Sequence, residues 1–82
     1  MVMVDIYFPV LDLVYNFKLE EHSRIDALVK EVSEMMCKKY KSTFDRGRES
    51  YMLCSVEKGI ILEGDATLSE YDIRNGSRLM MV

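Results

Sequence analysis

The 82-residue sequence predicts an α+β domain in which a mixed β-sheet packs on one amphipathic helix. Three observations carry that expectation. Two early segments alternate apolar and polar residues with period two, a middle segment switches to helical spacing, and the last third breaks into short apolar runs divided by turn residues.

The first segment, Val2 to Phe8, puts Val2, Val4, Ile6 and Phe8 on one side and Met3, Asp5 and Tyr7 on the other. Such alternation in β-branched and aromatic residues is that of a strand with one buried face. Pro9 ends the strand or sits at its edge, because it cannot donate to a ladder. After a short loop from Val10 to Asp12, Val14 to Leu19 alternates again, with Tyr15, Phe17 and Leu19 inward. Two such strands joined so closely form a hairpin. Ile25, Leu28, Val29, Val32 and Met36 then follow the i, i+3, i+4, i+7 stripe of a helix running to about Tyr40. Ser23 is the expected N-cap, with Asp26 three residues on as an imperfect capping box. Asp26–Lys30 and Glu34–Lys38 are i, i+4 ion pairs in the favourable order. Met35 and Met36 are both expected in the core.

Residues 42–50 have no period and form a solvated loop. Tyr51 to Val56 is a strand, Glu57-Lys58-Gly59 a turn with glycine placed for positive φ, and Ile60 to Leu62 the returning strand. Thr67-Leu68-Ser69-Glu70 has the T-x-x-E pattern that opens a helical turn. Asn75-Gly76 is a tight turn before a last strand from Ser77 to Val82. Eighty-two residues without a linker or repeat make a single domain, 1–82.

Composition narrows the function. A net charge of −3 disfavours nucleic acid and anionic membranes as partners. No run approaches the ~20 apolar residues of a membrane span, and the N-terminus lacks the basic start of a secretion signal. Cys37 and Cys54 have neither CxxC spacing nor nearby partner ligands, so they are expected to be reduced and partly buried, in a reducing, cytoplasmic setting. No catalytic, cofactor-binding or metal-binding constellation is present. His22 alone lacks an orienting partner, and Glu20-Glu21 is better explained as a solvated turn beside a helix N-terminus. Lys38-Lys39-Tyr40-Lys41, with Arg46 and Arg48, is the one cationic cluster. Its place at a helix C-terminus accounts for it without an acidic partner.

The run Thr67-Leu68-Ser69-Glu70-Tyr71-Asp72-Ile73 resembles the segment that leads into the last strand of ubiquitin, and the β-β-α-β-β-β order agrees with the ubiquitin-like β-grasp superfamily. Within it, Ile73-Arg74-Asn75-Gly76-Ser77-Arg78-Leu79 resembles the I-x-N-G-D-R-L ending of the YukD/EsaB proteins that accompany bacterial type VII (Ess/Yuk) secretion systems, with Ser77 where Asp is more usual. A similar domain forms the cytosolic part of EccD-type membrane subunits in related systems. The resemblance implies a non-enzymatic accessory or regulatory protein of type VII secretion that acts by protein–protein binding. The alternatives are a ubiquitin-like adaptor domain of a larger protein, or a modifier or sulfur carrier whose Gly-Gly tail is missing. The sequence ends Met80-Met81-Val82 with no such tail, which argues against the last. The resemblance leaves room for a homodimer, since ubiquitin-like domains pair through sheet edges or faces.

The same resemblance places Leu79 and Met81 toward the helix and Met80 and Val82 on the outer sheet face. Its ungapped extension puts Val56 at the apolar centre of the recognition surface, with Cys54 beside it. The implied interaction patch is Cys54, Val56, Met80 and Val82. Plain alternation along Tyr51–Val56 would bury Met52, Cys54 and Val56 instead, and a one-residue slip reverses every side chain.

Overall fold

The computed structural model describes residues 1–40 and 51–82, so the expected loop at 42–50, with Lys41, Arg46 and Arg48, lies outside the described residues. The chain runs β1 (Val2–Phe8), β2 (Leu13–Leu19), α1 (Ile25–Lys39), β3 (Leu53–Ser55), β4 (Ile60–Leu62), a 3₁₀ turn (Ser69–Tyr71) and β5 (Arg78–Met81). Among the described residues the strands form one mixed sheet in the order β2-β1-β5-β3-β4. β1 pairs antiparallel with β2 and parallel with β5, and β3 pairs antiparallel with both β5 and β4.

Alternation in β1 gives the expected result. Val2, Val4, Ile6 and Phe8 are buried, and Met3, Asp5 and Tyr7 turn the other way. They meet Ile25, Leu28, Val32, Met36 and Cys37 of α1, and Leu53, Leu62, Leu68, Ile73, Leu79 and Met81 complete the core. Met35 does not join it. Three residues after Val32, it sits at the outer edge of the helix stripe and is half exposed, so only Met36 of the pair is core.

β3 is shorter than expected and in the register that buries Leu53 and Ser55. Ser55 is tolerated inside because its Oγ accepts the Lys58 N–H at 3.2 Å and its carbonyl accepts the Gly59 N–H at 2.9 Å. Gly59 (φ +65°) makes the turn into β4 as expected. At the other end of the sheet the hydroxyls of Tyr15 and Tyr40 bond to each other. Lys39 Nζ lies 4.8 Å from the centre of the Tyr15 ring.

The start of α1 departs from the sequence expectation. The N-cap is Arg24 rather than Ser23, and no side chain caps the helix. The first-turn donors are taken by carbonyls from a remote loop. Ile25 N–H bonds Ala66 O at 2.8 Å and Asp26 N–H bonds Gly64 O at 2.9 Å. A single bridge between Arg24 and Thr67 continues the tie. Asp26 is held by Arg24 through two bonds of 3.1 and 2.7 Å, not by Lys30.

The C-terminal third follows its motif. Thr67 Oγ1 accepts the Glu70 N–H at 3.2 Å, closing the T-x-x-E turn. Tyr71 OH accepts the Glu63 N–H at 3.1 Å, fastening the 63–66 loop to the 3₁₀ turn. Asn75-Gly76 both turns the chain and clamps β1. Asn75 Oδ1 accepts the Met3 N–H and Gly76 N–H donates to the Met3 carbonyl, each at 2.8 Å.

Candidate protein-interaction surface

α1 covers one face of the sheet, and the other face has no covering element among the described residues. Register decides which side chains meet there. Val14 is opposite Tyr7, Tyr7 opposite Met80, Met80 opposite Cys54, and Cys54 opposite Ile61. Since residues in register point to the same side, these five form one row across all five strands. Val14 and Ile61, at the two ends, are 60% and 56% exposed, while Tyr7, Cys54 and Met80 are half-buried between them. Met52 and Val82 exchange backbone hydrogen bonds of 2.7 and 2.9 Å and add a second apolar pair one step along. An open groove of about 650 Å³ lies over the row and continues past Val56 and Ile60.

Polar residues border the row. Asp5 is in register with Asn16 on one side and Arg78 on the other. Asn16 Nδ2 donates to Asp5 Oδ1 at 3.0 Å. Arg78 leans the other way. Its backbone N–H donates to Glu57 Oε1 at 2.9 Å and its guanidinium Nε sits 3.7 Å from Glu57 Oε2. At the far end Tyr7 OH donates to Asp12 Oδ1 at 2.9 Å, and that bond to a carboxylate raises the phenol above its usual 10.0.

The four residues implied by the ubiquitin resemblance are all placed on or beside this face, with one correction of detail. Val56 is 48% exposed but follows the end of β3 in the turn, so Cys54, not Val56, occupies the centre of the row. Val82 lies just past β5 and is half-buried. Tyr7, Val14 and Ile61 were not anticipated as part of the patch. Tyr7 was legible as outward-facing in β1, but which strands stand side by side was not. The two cysteines lie on opposite sides of the sheet, Cys37 on the buried side of α1 and Cys54 on the outer face. Glu20, Glu21 and His22 bring their ligand atoms within 4.8 Å of one another in the turn before α1. Glu20 Oε1 already accepts the His22 N–H at 3.1 Å and Glu21 Oε1 lies 3.0 Å from the terminal ammonium of Met1.

A five-strand mixed sheet with a central parallel β1/β5 pair, one helix across its inner face and a capped 3₁₀ turn before the last strand defines a ubiquitin-like β-grasp domain. No family model and no curated protein matches the sequence. Solved structures do share the fold. The EccD5 ubiquitin-like domain from Mycobacterium xenopi superposes with a TM-score of 0.80 at 22% identity, over 99% of this chain and 91% of that one. The ubiquitin-like domain of the Mycobacterium tuberculosis type VII secretion system protein EccD1 gives 0.72 at 13% identity, over 100% and 99%. A chain of the MycP5-free ESX-5 inner membrane complex gives 0.78 at 19% identity, with 99% of this chain matching 20% of that one. The fold is thus the ubiquitin-like fold also found in EccD proteins of type VII secretion systems. None of the helices of the described residues is long and apolar enough to cross a membrane.

Proposed function

We propose that this chain is a non-enzymatic, protein-binding ubiquitin-like domain of a type VII secretion system, working on the cytoplasmic side as the ubiquitin-like domain of an EccD-type membrane subunit. The observation that carries this is the superposition on the EccD5 domain across nearly the whole of both chains. The outer face supplies the means. A row of apolar side chains with polar borders is the composition of an interface, and it lies opposite the helix, where binding does not disturb the core. Ile73–Leu79 favours a second form of the same reading, a stand-alone accessory protein of the YukD/EsaB kind. Its Asn75-Gly76 pair forms the clamp on β1.

The test is deletion of the gene followed by measurement of the export of small helical WXG-motif substrates, with rescue by the wild type and by Ile61→Lys. Loss of export, rescued by the wild type and not by the surface variant, is the expected result. Unchanged export and unchanged expression of the secretion genes would sink the proposal. Fractionation of the endogenous protein separates the two forms: a membrane-embedded longer chain is expected for the EccD type, and a free chain of this size for the accessory type.

A further inference from the structure

We propose that the free edge of β2 is a second docking site, which takes an extended, acid-flanked apolar segment of a partner protein as an added strand. This edge is separate from the outer face and serves whether or not that face binds. Its availability follows from where the backbone groups of β2 point. Met3 and Asp5 turn theirs to the β5 side. The Met3 N–H donates to Asn75 Oδ1, the Met3 carbonyl accepts from the Gly76 N–H, and the Asp5 N–H donates to the Ser77 carbonyl. Backbone direction alternates along a strand, so Val2, Val4 and Ile6 face β2 and bond Leu19, Phe17 and Tyr15 opposite them. Val14, Asn16 and Lys18 therefore aim three N–H and three C=O groups away from the sheet. β2 is the last strand on that side, and among the described residues nothing takes these groups.

An unpaired edge is a template for another strand unless it is blunted. β2 has seven residues, no proline, and a ladder to β1 without a bulge. The Asn16 side chain does not fold over the edge, because its Nδ2 is tied inward to the Val4 carbonyl and to Asp5 Oδ1. The charge of Lys18 repels a basic strand and attracts an acidic one. The opposite edge of the sheet, β4, is only three residues long and offers too short a ladder.

The side chains beside the edge define the occupant. Tyr15 and Phe17 are half-buried on the helix side of β2. α1 runs back along β2, since Lys39 near its end reaches to 4.8 Å from the centre of the Tyr15 ring. Met35 is one turn earlier on the same side of α1, level with Phe17, and half exposed. An added strand lays two apolar side chains, two residues apart, against Tyr15, Phe17 and Met35. Lys39 stands at one end of this strip and Lys18 at the other, and among the described residues neither has a carboxylate partner. Acidic residues at both ends of the segment complete the match. The local charge is thus opposite to the net −3 of the chain.

The probe is the synthetic peptide Asp-Glu-Ile-Thr-Ile-Thr-Glu-Asp with blocked ends, added to the full chain labelled with nitrogen-15. A dissociation constant of about 0.1 mM is expected. The amides of Val14, Asn16 and Lys18 should exchange quickly with solvent in the free chain and about tenfold or more slowly under saturating peptide. Only one alternate set of peptide amides faces β2. N-methylation of that set should abolish binding, and N-methylation of the other should leave it within about threefold. Lys18→Glu and Lys39→Glu should each weaken binding about fivefold, and the double variant should instead prefer the peptide with lysines at both ends. Unchanged exchange at Val14, Asn16 and Lys18, equal effects of the two methylated peptides, or a double variant that keeps the acidic preference would each overturn the proposal. Protection that appears without peptide and grows with protein concentration would show a second copy on the edge and overturn it too. A chain that refuses the peptide but still restores export would leave the proposed function standing.

Discussion

Gly64 sits closely against the first turn of α1, where a side chain would fit only by pushing its neighbour aside. A Cβ there would come 3.1 Å from Asp26 Cβ and 3.8 Å from Asp26 Cα, atoms fixed to the helix backbone. Its carbonyl meanwhile accepts the Asp26 N–H. Gly64→Ala is expected to destabilise the domain by about 1–2 kcal/mol, read as a lower midpoint in urea denaturation with unchanged slope. Asp26 itself is held below its ordinary 3.8, first by its hydrogen bonds from Arg24 and then by the nearby charge. A depressed carboxylate adds stability that is present above its unfolded pKa and lost as pH falls through the folded value. Asp26→Asn should therefore flatten the pH dependence of unfolding below about pH 4 and change it little near neutrality, most visibly at low salt. Neither role is legible in the local sequence. Spacing pairs Asp26 with Lys30, whereas in the structure the Arg24 guanidinium holds it at 2.7 Å.

At the scale of elements, what could be read from residues was the long, strongly periodic pieces. β1 and α1 carry enough turns of their period to fix their buried sides, and β2 follows. β3 has three residues, too few for alternation to define a face, and it buries a serine while its cysteine stays half-buried on the outer face. Hydrophobicity points the wrong way there, because Ser55 is satisfied by a turn hydrogen bond that only the fold reveals. Alternation and the ubiquitin resemblance point to opposite sides here, and the structure turns Cys54 to the outer face. The helix cap is hidden from the sequence for a related reason: its acceptors are the carbonyls of Gly64 and Ala66, which no local motif announces. At the other end of α1, the Tyr15–Tyr40 hydroxyl pair joins β2 to the end of the helix. The Tyr15 hydroxyl raises the Tyr40 phenol above 10.0. A raised value means stability that is full below the unfolded pKa and lost as pH rises through the folded one. Tyr15→Phe should return Tyr40 toward its ordinary titration, measurable by ultraviolet absorbance, and reduce the loss of stability seen above pH 10.

For the whole molecule, the outer-face row is a property of strand order rather than of any one segment. Val14, Tyr7, Met80, Cys54 and Ile61 are spread over the chain from residue 14 to residue 7 to residue 80 and back to 61, and they become neighbours only when five strands are laid side by side. This is why the sequence yielded Cys54, Val56, Met80 and Val82 through a resemblance but not the ends of the row. Ile61→Lys tests the surface without touching the core. Ile61 is 56% exposed, so stability should stay within about 0.5 kcal/mol while partner binding falls at least tenfold. The central β1/β5 ladder has a further consequence. It joins residues 5–7 to residues 78–80, and the start of α1 waits for residues 64–66. As the chain leaves the ribosome, the hairpin and the helix emerge long before the strand that must lie beside β1. Until then the apolar side of β1 has only half its neighbours. The domain therefore completes itself only after its final strand is released, and a chaperone or a docking partner would meet an open sheet during synthesis and a closed one afterwards.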